Sequence, residues 1–358
     1  HTSFKCDWSS DVCSSDLWGM SARPGLFAVV TTIQAPTPAV RELHCRLAAA
    51  GGRLVVAGDK KGPPAFDLPD CDFLSLETQR ASGFSLAQLL PTGHYARKNV
   101  GYLHAVRAGA ACIYETDDDN APLASWKPRA ETVANVRHVS GTGWTNVYRH
   151  FTGDPQIWPR GFPLERLADS VAPCAPAGAP VRALIQQGLV NGSPDVDAVW
   201  RLTQDRPFDF EPRAPVALGP GQWCPFNTQS TWWWPAAYPL LYVPSHCSFR
   251  MCDIWKSFVA QRCLWALGAG VVFHAPEVRQ DRNPHDYRRD FEDEVPGYLR
   301  NARIAEILAG LSLAPGAAAV GNNLRACYAA LVAERIFPAD ELALVAAWLD
   351  DLERMPKP

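Results

Sequence analysis

Four short apolar runs, spaced by helical patterns or polar turns, occupy the first 120 residues. They are Leu26–Ile33 (Leu-Phe-Ala-Val-Val-Thr-Thr-Ile), Arg53–Ala57, Phe73–Leu76 and Ala111–Tyr114. Continuous β-branched runs without polar alternation mark strands buried on both faces. Between them, Pro38–Ala50 with Gly51-Gly52 behind it, and Tyr95–Ala108 stopped by Gly109, read as helices. Strand–helix–strand repetition at this spacing implies right-handed crossovers and a mostly parallel sheet covered by helices. The expected fold class is therefore α/β.

Residues 6–17 (Cys-Asp-Trp-Ser-Ser-Asp-Val-Cys-Ser-Ser-Asp-Leu) back-translate into a common short-read sequencing adaptor. Residues 1–17 are read as an artefact, and 1–19 as an artefactual or disordered tail outside the fold. Setting 1–17 aside removes one of 34 basic and three of 37 acidic residues, leaving 33 against 34 and a net charge of −1. Such a chain has no electrostatic pull toward nucleic acid. No apolar run is long enough to span a membrane, and Pro235, Pro239 and Pro244 break up the richest one. Nine cysteines remain, an odd number with no Cys-x-x-Cys, which suggests reduced thiols. With no visible secretory signal, this gives a cytoplasmic expectation. Cys247 and Cys252 beside His246 are a weak zinc candidate, lacking a second Cys/His pair.

Farther along, 120–180 is rich in Pro, Gly, Trp and Arg without periodicity. Asp253–Leu267 reads as a helix and Gly270–Phe273 as a late strand. Leu324–Ile336 and Pro338–Leu352 read as amphipathic helices. The expected organisation is an α/β domain over 23–298 and a helical region over 299–358. Trp223, Trp232, Trp233 and Trp234 flank Phe226-Asn227. The cluster suits core packing or an oligomer surface, with a sugar-stacking rim as the alternative.

The fourth apolar run ends in Asp117-Asp118-Asp119. Three adjacent carboxylates repel, and a divalent cation removes the repulsion. Alternate residues of an extended chain face the same way, so Asp117 and Asp119 can hold one Mn²⁺ or Mg²⁺ ion while Asp118 points elsewhere, toward sugar or ribose hydroxyls. A solvated acidic loop has the same composition. Upstream, Arg97-Lys98-Asn99 opens a helix, where cations oppose the dipole but suit a phosphate.

Together these residues resemble a nucleotide-sugar glycosyltransferase of the GT-A type: a first strand ending in Thr31-Thr32, a second ending in Gly58-Asp59, the Arg97-Lys98-Asn99 helix, then the acidic strand end. More narrowly, Gly58-Asp59-Lys60-Lys61-Gly62-Pro63, Tyr95-Ala96-Arg97-Lys98-Asn99-Val100-Gly101-Tyr102, Trp158-Pro159-Arg160-Gly161-Phe162-Pro163-Leu164 and Phe249-Arg250-Met251-Cys252-Asp253-Ile254-Trp255 resemble the STELLO-type glycosyltransferases, over about 26–300. More distantly, Pro194-Asp195-Val196-Asp197-Ala198 and Arg160-Gly161-Phe162-Pro163 are similar to the reversibly glycosylated polypeptides, which are UDP-arabinopyranose mutases. In that family the matching arginine carries the sugar; this chain departs from the pattern with Phe162 in place of Tyr.

The resemblance implies a metal-dependent enzyme that uses a nucleotide-diphosphate sugar and an unidentified glycan or protein acceptor. Thr31, Asp59 and Lys60 would cradle the nucleoside; Arg97 and Lys98, with Asn99, would meet the diphosphate. Asp117 and Asp119 would hold the metal, with His274, at the end of the Val271–His274 run, as third ligand. Asp253 would act as base or acceptor contact, or be a plain helix N-cap, and Arg160 would be the second catalytic residue, lining the pocket, with covalent attachment of the sugar to it as the alternative. An oligomer is a further partner expectation, and a mutase and a non-catalytic binding protein are the rival readings. An Asp-x-Asp phosphatase is weaker, because Asn120-Ala121-Pro122 follows the acidic run.

Overall fold

The computed structural model describes residues 25–169, 171–281 and 286–355. The adaptor-like segment and the expected 1–19 tail lie outside them. β1 (Leu26–Thr32), β2 (Arg53–Gly58), β3 (Cys71–Leu74) and β4 (Cys112–Thr116) form parallel pairs in the order β3-β2-β1-β4. The sheet continues through strands Ser230–Trp233, Ile185–Gly192, Val272–Gln280, Val216–Ala217, Arg137–Val139 and Cys174–Ala175. By paired residues this α/β sheet is mostly parallel, and its antiparallel pairs all lie beyond β4. A short strand, β5 (Asn120–Pro122), pairs off the main path with Val272–Gln280.

The expected elements form because burial supports them. β1 is buried along nearly its whole length, and Phe27, Ala28, Val29 and Val30 are at most 1% exposed. α1 (Pro38–Ala49) begins behind Thr37, whose hydroxyl accepts from the Val40 amide, with Pro38 in the first turn. α2 (Leu76–Arg80) and α3 (Ser85–Leu89) are short. α3 has no cap within its own segment; Asp351, from the C-terminal helix, accepts the Ser85 and Leu86 amides at 2.9 Å. α4 (Lys98–Arg107) crosses β1 so closely that a Cβ on Gly101 would lie 2.7 Å from Val29.

α5 (Ala198–Gln204), α6 (Cys252–Ala266), α7 (Tyr287–Ala309), α8 (Val320–Ala333) and α9 (Glu341–Glu353) complete the helices described. α7 runs through the expected 298/299 boundary, so the helical region is entered within one continuous helix. α8 and α9 share the core with the sheet: Tyr328 and Trp348 stack about Tyr242. The tryptophan cluster is interior, with Trp232 and Trp233 fully buried, and does not form a rim. No described helix is long and apolar enough to cross a membrane.

A buried ion pair joins sheet to helix. Lys256 of α6 donates to both Glu115 oxygens of β4 at 2.9 and 3.1 Å, and both side chains are essentially unexposed. Trp233 and Tyr102 also donate to that carboxylate. Removing one partner of such a pair strands the other charge. Lys256→Met should therefore lower stability by roughly 3–5 kcal/mol in urea denaturation. Adding Glu115→Gln should recover most of the loss.

Candidate functional site

A cavity of about 480 Å³ opens at the carboxyl ends of β1, β2 and β4, the position where open α/β sheets bind ligands. Thr31, Thr32 and Ile33 form one wall, and Asp59 and Lys61 stand beside them. Asp117, Asp118 and Asp119 form the base. Arg160, Asp195, Arg250 and Asp253 line the same cavity, and Phe249 meets Tyr95 edge to face with ring centroids 5.9 Å apart.

The three carboxylates are held apart by different partners. Asp117 accepts from Tyr95 Oη at 2.6 Å and from the buried Lys98 Nζ at 3.2 Å. Asp118 and Asp119 lie in a turn and not on an extended strand; the Asp118 carboxylate accepts from Thr32 and its carbonyl from Thr37, which pins the strand end to the start of α1. Asp119 accepts from Gln280 Nε2 at 2.8 Å through one oxygen, while its other oxygen is buried without a partner. Burial, followed by the charge of Asp117, pushes the Asp119 carboxyl up to about 6. Burial also raises that of Asp118.

This arrangement fits a divalent cation in one respect. A buried carboxylate oxygen with no donor, repelled by Asp117, is a position that a hard cation would satisfy. Among the described residues no group of three or more His, Cys, Asp or Glu side chains forms a metal cage. Magnesium-type ions are commonly held by one or two carboxylates, with substrate phosphate supplying further oxygens.

Another wall is a clamp. Arg160 donates from Nε and Nη2 to the two oxygens of Asp195 at 2.7 and 2.9 Å, and from Nη1 and Nη2 to those of Asp253 at 3.0 and 2.8 Å. The Arg250 carbonyl accepts from it as well. Gly161, at φ +87°, lets this loop close on α6, where a Cβ would lie 2.4 Å from Ile254. Burial works against the Arg160 charge, but the two carboxylates outweigh it and hold the guanidinium protonated. Burial also pushes both carboxyls up. Arg160 reverses this at Asp195, which lies below the ordinary range, and Asp253 stays above it. Carboxyls whose environments push them apart can divide proton-holding and charged roles. A guanidinium donating to two carboxylates has no free electron pair with which to attack a sugar carbon.

Several expected site residues are placed elsewhere. Arg97 is buried away from the cavity, donating to the Ala87, Leu90 and Pro91 carbonyls at 2.9, 2.8 and 3.0 Å. Those carbonyls end α3 and need donors, so Arg97 completes a helix terminus and does not meet a phosphate. Asn99 exchanges two hydrogen bonds with the Val243 backbone. Lys98 reaches the site from beneath, through Asp117. Lys60 packs over Gly93, and Lys61, one residue on, lines the cavity. His274 is not at a strand end: Val272–Gln280 continues six residues past it, about 20 Å at strand rise. Its ring contacts Arg129 and Gln186, and Gln280 is the residue that arrives at the acidic run. Asp253 is not the N-cap of α6; Met251 holds that position. Cys247, Cys252 and His246 do not form a zinc site, since His246 pairs with Glu341 at 2.7 Å and no group of three metal-ligating side chains gathers among the described residues.

Tyr95, Lys61, Asp195, Phe249, Arg250 and Gln280 complete the cavity without having been singled out as site residues. Asp195 had a local signal in the Pro-Asp-x-Asp segment. Gln280 had none, because its place depends on the pairing of Gln280 with Asn120.

Residues 250–357 match the family model of the STELLO glycosyltransferases. The chain is similar to "Probable glycosyltransferase STELLO2" of Arabidopsis thaliana, 30% identical over 324 residues, which cover 84% of this chain and 42% of that protein. It is 28% identical over 344 residues to "Probable glycosyltransferase STELLO1" of the same plant, covering 90% of this chain and 44% of that one. The chain thus spans less than half the length of these relatives. The matches bear out the resemblance read from the Gly58, Tyr95, Trp158 and Phe249 segments.

The raised Asp119 carboxyl has a consequence for stability. A carboxyl raised by folding favours the folded state while protonated; that contribution is complete below its ordinary 3.8 and lost as pH rises to about 6. Its size is on the order of 3 kcal/mol. Asp197, which burial pushes up to about 7, adds a similar fall that reaches higher pH. Burial lowers His94, His150 and His274 on folding and pushes stability the other way over this range, so the test is a difference between variants. Relative to wild type, Asp119→Asn should gain stability in denaturation as pH rises from 4 to 6, and the difference should level off above that.

Proposed function

We propose that the cavity binds a nucleotide-diphosphate sugar with Mn²⁺ or Mg²⁺ and transfers its sugar to an acceptor. The observation that carries this reading is the acidic run at the carboxyl ends of parallel strands, lining one cavity together with the Arg160 clamp.

Thr31, Ile33 and Asp59 stand where β1 and β2 end, and would receive the nucleoside. Asp117 and Asp119 would hold the cation, with the Asp119 oxygen that lacks a donor as the strongest candidate ligand. When bound, the cation would offset the charge that develops on the leaving diphosphate. Lys98 adds fixed positive charge behind Asp117, and Lys61 adds it at the cavity wall. Asp118 stays with Thr32 and holds the loop in place.

The sugar would then lie toward the clamp. Asp195, held ionised by Arg160, can accept a proton or orient a sugar hydroxyl. Asp253, with its raised carboxyl, can hold one. Arg160 acts as a positioning residue for both. This geometry favours transfer to an external acceptor over the covalent arginine chemistry of the mutase reading.

A thermal-shift panel of UDP- and GDP-sugars, with and without Mn²⁺, tests this function. At about 100 times Kd, a ligand adds roughly 2.7 kcal/mol, a shift of several degrees for a chain of this size. At least one donor should give such a shift with metal, and Asp117→Asn and Asp119→Asn should abolish it. No metal-dependent shift with any donor would end the catalytic reading. Separately, intact-mass measurement after incubation with the stabilising donor should show no added sugar; a stable adduct mapped to Arg160 would favour the mutase.

A further inference from the structure

A second cavity, of about 360 Å³, lies against the first. The two share Gln280, and the chain passes from Ser193 in the smaller to Pro194 and Asp195 in the larger. We propose that this second cavity is an oxyanion-binding subsite, built on Arg201, that receives a carboxylate or phosphate group of the acceptor. The acceptor assignment rests on the reading of the larger cavity as the donor site.

Arg201 is 4% exposed. Its Nη2 donates to Ser193 Oγ at 2.9 Å and to the Pro194 carbonyl at 2.6 Å, while its buried Nε has no partner. Its guanidinium lies 5.4 Å from the Trp200 ring. Among the described residues it makes no ion pair with a carboxylate. A buried guanidinium normally has one, because an unsatisfied buried donor costs about 1–3 kcal/mol, and more when charged.

Two further arginines line the same cavity, each already offset by a carboxylate. Arg206 pairs with Asp154, and Arg279 with Asp209 at 3.0 Å. Asp205 and Asp281 also line it and limit its positive charge, and Asp281 lies 3.5 Å from Arg279. Asp195 and Asp205 offset the Arg201 charge without bonding to it, so among the described residues Arg201 is the arginine of this wall with no direct carboxylate partner, and a planar guanidinium is matched to an oxyanion. Uronic acids and phosphorylated sugars share this chemistry. A group bound here would carry the attached acceptor past Ser193 and Gln280, toward Asp195 and Asp119.

Titrating inorganic phosphate and, separately, glucuronate into the full chain by calorimetry tests the subsite. At least one probe should bind, and its Kd should rise tenfold or more in Arg201→Gln, while Lys61→Ala, in the donor cavity, keeps wild-type affinity. Should Arg201→Gln fail to fold, Arg201→Lys, which keeps the charge and loses the planar fork, should raise the Kd several-fold. Binding by phosphate alone points to a phosphorylated acceptor, and binding by glucuronate to an acidic sugar. No binding by either probe, unchanged affinity in the arginine variants, or equal loss in Lys61→Ala would overturn the proposal. Donor binding measured on Arg201→Gln should persist, so a failed subsite and a failed donor reading give different results.

Discussion

The buried Lys256–Glu115 ion pair sets the spacing between the two walls of the cavity. Glu115 lies two residues before Asp117 on β4 and its extended continuation, so the two share a strand face. Lys256 lies three residues after Asp253 on α6, so those two share a helix face. One interaction of about 3 Å therefore ties the strand that ends in the acidic run to the helix that carries a carboxylate of the clamp. Trp233 and Tyr102 complete the shell around Glu115, which gives the interior tryptophans a role in positioning the site.

The site continues this pattern of charges bound to charges. Lys98 is paired with Asp117, Arg160 with Asp195 and Asp253, and Arg250 with Glu294. Each pairing costs desolvation, which close hydrogen bonds offset. Among the described charged groups, one oxygen of Asp119 and the Nε atoms of Arg201 and Arg129 are buried with no partner, and of these Asp119 and Arg201 line the two cavities. The cation proposed for Asp119 and the oxyanion proposed for Arg201 would lie in cavities that adjoin at Gln280.

Much of the fold was legible in the chain because the signals are local. β1, β2 and β4 are uninterrupted apolar runs, and α1 carries its own cap, proline and glycines. The place of the acidic run at the cavity was legible for the same reason, since it ends a strand. Arg97 and His274 misled because residue type says nothing about where a side chain points. Arg97 is drawn to the orphan carbonyls of α3, and His274 sits mid-strand because Val272–Gln280 passes through Pro276, which a central strand seldom contains.

By itself, the sequence determined the α/β class, the carboxyl-end position of Asp117–Asp119 and the segments shared with STELLO glycosyltransferases. These depend on periodicity, turns and short motifs, all readable within a few residues. Only the tertiary structure decided that Asp195 joins Asp253 on Arg160, that Gln280 meets Asp119 and that Lys61 replaces Lys60 and Arg97 at the cavity. Those contacts join residues far apart in the chain, and they are selected by which buried charges and hydrogen-bonding groups can satisfy one another once the strands are in register.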